Sequence, residues 1–126
     1  MTILEALAIL ESAVLECKKR DINTTEVKAA LDLLERYIYP KWLIPQFRHS
    51  VENEEQPLEK REGQQQVLRA TFPGIRDLVR ALIGKQADAL TRKFHETHDM
   101  AVKDELERTL KEYGELGKPW DFVVVR

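Results

Sequence analysis

"MTILEALAILESAVLECKKR", residues 1–20, decides the fold class, because its apolar positions fit a helical period. Ile3, Leu7, Leu10, Val14 and Cys17 recur at alternating steps of four and three, laying one apolar seam along one face of a helix. Thr2 and Glu5 have the spacing of a capping box, in which hydroxyl and carboxylate satisfy early backbone N–H groups. Lys18, Lys19 and Arg20 follow the seam, where the negative end of the helix dipole favours cations. A secretory leader would carry its basic cluster first. Here that cluster comes last and Glu5, Glu11 and Glu16 interrupt the apolar residues, so no leader is expected.

Outward from that helix the pattern repeats. Asn23 and Glu26 form a second capping pair, and Val27, Leu31, Leu34 and Ile38 make another seam. So short a connection predicts an antiparallel helical hairpin. "YIYPKWLIPQFRHSV", residues 37–51, crowds Tyr37, Tyr39, Trp42 and Phe47 together. Pro40 and Pro45 should stop or kink the second helix near Tyr39, and Leu43, Phe47 and Val51 resume helical spacing beyond them. Residues 52–66, "ENEEQPLEKREGQQQ", hold one large apolar side chain, Leu58, and are expected to form an exposed connection, part loop and part solvated helix.

A second helical pair is expected after it. Val67, Leu68 and Phe72 lead to Pro73-Gly74, which should kink or restart the helix. Leu78, Val79, Leu82, Ile83, Leu90 and Phe94 then give one helix, and Met100, Val102, Leu106, Leu110 and Tyr113 another, ending at Gly114 and Gly117. The tail "GKPWDFVVVR", residues 117–126, suits an extended segment. The expected architecture is all-α: a single domain over residues 1–126, a small bundle of three to five helices in two antiparallel hairpins, with an extended C-terminal tail. The 126 residues allow one real core, and neither hairpin alone would have anything to cover its apolar face.

Charge narrows the classes of partner. The formal balance is −2, which gives no global attraction to nucleic acid or an anionic membrane. Locally the chain is uneven. Residues 73–93 hold five basic and two acidic side chains, a net +3, and residues 94–115 hold seven acidic and three basic, a net −4. If the two segments are antiparallel neighbours, attraction along their exposed edges is the simplest use of that contrast. A stripe of Arg69, Arg76 and Arg80 suits phosphate oxygens, but no aromatics are interleaved with it, so a nucleic-acid surface is not expected. No stretch approaches the roughly 18–20 apolar residues of a membrane span. The lone Cys17, on the first seam, is expected to be a small buried hydrophobe and cannot build an intrachain disulfide, which fits a cytoplasmic protein.

"RKFHETHDM", residues 92–100, is the stretch that most resembles chemistry. His95 and His98 lie three apart on one helical side, with Asp99 a turn beyond His95, so the pair suits two ligands of a metal ion. The spacing H-E-T-H is one residue short of the zincin H-E-x-x-H, and His49 could join only through folding. The alternative use is a break or cap between two helices at Thr97 or Asp99. No phosphate loop, nucleophile elbow or Cys–His pair appears, so no enzyme, cofactor or metal is expected. The leading expectation is a protein-interaction or scaffold module that binds a protein partner or itself. Trp42, Phe47, Trp120 and Phe122 are its expected contacts, because large aromatics among polar neighbours match the composition of interface anchors. A metal-binding bundle using His95 and His98 is the alternative.

Overall fold

A computed structural model describes residues 1–17, 23–38, 43–52 and 61–118. Among them are five helices and no strand: α1 (Ile3–Glu16), α2 (Thr24–Glu35), α3 (Leu43–Glu52), α4 (Arg61–Thr97) and α5 (Met100–Leu116). The all-α class and the helix count are as expected. The chain divides into two compact units, the first Met1–Arg76 and the second beginning at Asp77, so α4 contributes to both. No described helix is long and apolar enough to cross a membrane.

In the first unit, the two N-terminal caps form as their spacing requires. Thr2 Oγ1 accepts the Glu5 N–H at 3.1 Å and Asn23 Oδ1 accepts the Glu26 N–H at 3.2 Å. The α1 seam is buried at Ala6, Leu7, Leu10, Ala13 and Val14, with Cys17 beyond it. Val27, Ala30, Leu31 and Leu34 bury the matching face of α2, which packs along α1. That helix stops at Glu35, where the N–H groups of Tyr37 and Ile38 both turn back to the Leu34 carbonyl.

The short helix α3 packs against α2, and its Leu43, Ile44, Phe47 and Val51 are all buried. Pro45 is tolerated because it sits in the first turn, where an N–H has no intrahelical partner. Arg48 ties α3 to α2 by pairing with Asp32 at 2.8 Å and Glu35 at 3.4 Å. Both carboxylates are well exposed, so the pairs orient the helices more than they stabilise them.

Two expectations about α4 need correction. Residues 61–66 are the helical part expected of the 52–66 connection, but Gln65 is buried instead of solvated. Its amide Nε2 donates to the Val14 carbonyl at 3.2 Å, which offsets the cost of burying it and ties α4 to α1. Nor does Pro73 restart the helix: α4 runs unbroken for 37 residues. Leu68, Phe72, Ile75 and Val79 are fully buried on both sides of the proline, and the burial of these side chains outweighs one missing backbone bond. Gly74 also lets the backbone come close to α3, since a Cβ there would lie 2.7 Å from Leu43 Cδ1.

Candidate interaction surface

The second unit is a helical hairpin made of α4 from Asp77 onward and α5. Its corner explains the two clustered histidines. His98 adopts a left-handed backbone, φ 52°, and its N–H returns to the Phe94 carbonyl at 2.8 Å, closing α4. Thr97 Oγ1 accepts the Asp99 N–H at 3.3 Å, and Asp99 Oδ1 accepts the Ala101 N–H at 2.9 Å, opening α5. The break between helices therefore lies where Thr97 and Asp99 suggested.

His95 and His98 are both exposed, and their ring centroids lie 6.3 Å and 5.9 Å from that of Phe94. Among the described residues no group of three or more His, Cys, Asp or Glu side chains is gathered as a metal would need. His98 also carries a backbone cost, because left-handed geometry brings Cβ close to the following carbonyl in any residue but glycine. His98→Gly is expected to stabilise the fold by about 1 kcal/mol in a urea titration. A loss of similar size would show that the imidazole contributes more than its backbone strain.

At the base of the hairpin the Arg80 guanidinium sits 3.9 Å over the Tyr113 ring, and its Nε–H donates to the Tyr113 carbonyl at 3.4 Å. Glycines make this possible. A Cβ on Gly84 would reach 3.0 Å from Tyr113 Cε2, and one on Gly117 would reach 2.9 Å from an Arg80 nitrogen. Arg80 is thus committed to α5, and the arginine stripe loses one of its three members as an anion site. Arg69 and Arg76 belong to the first unit.

Toward the corner the seam opens. Ala87, Val102 and Thr109 are buried, but Leu90, Phe94 and Leu106 are only half-buried. Leu110 is 50% exposed and Met100 60%, so neither belongs to the closed face to which their spacing assigned them. Thr109 takes the inward place of Leu110. It fits the series Val102, Leu106, Thr109, Tyr113, and its hydroxyl donates to the Glu105 carbonyl at 2.8 Å, so that no polar group is left bare. A search for large apolar residues overlooks it.

The charge contrast is present without the ion pairing expected of it. Lys85, Arg92 and Lys93 on α4 and Asp104, Glu105 and Glu107 on α5 are exposed and form no ion pair among the described residues. Of the four expected aromatic contacts, Trp42, Trp120 and Phe122 lie outside the described residues, as does the tail from 119. Phe47 has no accessible surface and serves the core of the first unit, so it lacks the exposure a contact residue needs. Comparison with protein-family models, curated proteins and solved structures finds no match.

Proposed function

We propose that the chain is a protein-interaction module whose contact surface is the open end of the α4–α5 hairpin, residues 90–110. One observation supports this most strongly. Leu90, Phe94 and Leu106 stay partly exposed while Leu110 and Met100 are at least half-exposed, on the unit that has two described helices to cover them. Two helices bury one seam; a partner covering the remaining apolar surface would gain roughly 25 cal/mol for each Å² removed from water. Aliphatic side chains ringed by charge match the make-up of an interface with an apolar centre and a polar rim. The role is read as non-enzymatic and cytoplasmic, in keeping with a fold whose single thiol, Cys17, is buried.

A photoreactive amino acid placed at Leu110 tests the surface in cells. The expected result is a discrete protein adduct from position 110 and none from Ala29, an exposed position on α2 in the first unit. Absence of an adduct at 110, or equal labelling at both positions, would overturn the assignment.

A further inference from the structure

We infer that the partner is a second copy of this chain, its hairpin laid beside the first so that α4 of one lies along α5 of the other. This rests on the open end of the hairpin being a contact surface, and adds what covers it. Gly84 faces Tyr113 across the hairpin, which sets the level of one helix against the other. Eight residues on from Gly84 stands Arg92 and eight back from Tyr113 stands Glu105, so the two are level; Lys93 and Asp104 are level one residue nearer the corner.

Level groups of opposite sign ought to pair, and these do not. The reason is angular. At 100° per residue, Arg92 lies about 80° and Lys93 about 180° round α4 from Gly84, with Glu105 and Asp104 at matching angles from Tyr113. Both sets point away from the hairpin's own seam. A hairpin can meet a copy of itself with like helices adjacent or with unlike helices adjacent. The first sets the +3 stretch of residues 73–93 against itself and the −4 stretch of residues 94–115 against itself; the second sets plus against minus. Charge therefore selects the unlike arrangement, which also brings a second pair of helices against a hairpin whose Leu110 is 50% exposed, as in a four-helix bundle. A two-fold dimer makes that contact twice, each basic edge meeting the other copy's acidic edge.

Two charge-reversed proteins test this by sedimentation. One carries Arg92→Glu with Lys93→Glu, the other Asp104→Lys with Glu105→Lys. All four positions are exposed, and unchanged circular dichroism confirms folding. The wild type is expected to form a dimer that weakens as salt is added. Each variant alone is expected to self-associate at least about tenfold more weakly, because both of its contacts become like-charged. An equimolar mixture is expected to recover the dimer as a heterodimer, since both contacts are again unlike. A wild type monomeric at every reachable concentration, variants that dimerise unchanged, or a mixture no stronger than its components would each overturn the inference. If the purified protein is monomeric and the adduct at position 110 contains a different protein, the second copy is excluded and the surface stands; with no adduct, the surface itself fails.

Discussion

Replacing Phe47 by alanine is expected to cost about 3–5 kcal/mol of stability, enough to consume much of the margin of a small domain. Phe47 is among the largest fully buried side chains, and it anchors a helix of only ten residues. So short a helix does not hold its shape in water unaided, so α3 depends on Leu43, Ile44, Phe47 and Val51 staying packed. Removing the ring leaves a cavity that α3 can close only by giving up its other contacts. Urea denaturation of Phe47→Ala measures the loss. A loss below about 1 kcal/mol would mean that the ring is not core, and would restore it as a candidate contact. Self-association is expected to be retained in folded Phe47→Ala, since its proposed surface lies in the other unit.

The second large effect has the opposite sign. Pro73→Ala is expected to stabilise the protein by about 1–3 kcal/mol. Proline inside a helix removes the N–H that would reach the Arg69 carbonyl and crowds that same carbonyl with its ring. Alanine restores the bond, and Pro73 is only half-buried, so its removal opens no sealed cavity. A rise in the denaturation midpoint with an unchanged urea dependence is the expected reading. If α4 is in fact interrupted at residue 73, the substitution would be neutral or harmful.

These two substitutions bracket what the sequence could convey. The seams of α1 and α2, their Thr2 and Asn23 caps, the burial of Cys17 and the corner at Thr97–Asp99 are local properties, set by residues within a turn or two of each other. They were legible for that reason. The continuity of α4 was not, because a local rule against proline competes with burial of Phe72, Ile75 and Val79 that only the assembled fold supplies. Gln65 misleads in the same way: its polarity suggests solvent, but its hydrogen-bond partner, Val14, lies 51 residues away in the chain.

The candidate surface was legible only in part. The uneven charge distribution was visible in the residues, whereas the exposure of Leu110 and Met100 was not. Aromatic content drew attention to Phe47, yet burial depends on which face of α3 meets α2, and composition does not report that. Leu110 and Thr109 are adjacent, and either fits a helical seam by approximate spacing. Only the 102–106–109–113 register of the hairpin separates the inward residue from the outward one.

Backbone hydrogen exchange across residues 90–110, followed as protein concentration is raised, bears most directly on association through the hairpin. Protection there is expected to grow with concentration while that of α2 stays constant, and to fall again when salt is added. Exchange across residues 90–110 that ignores concentration, or protection that grows elsewhere instead, would contradict it.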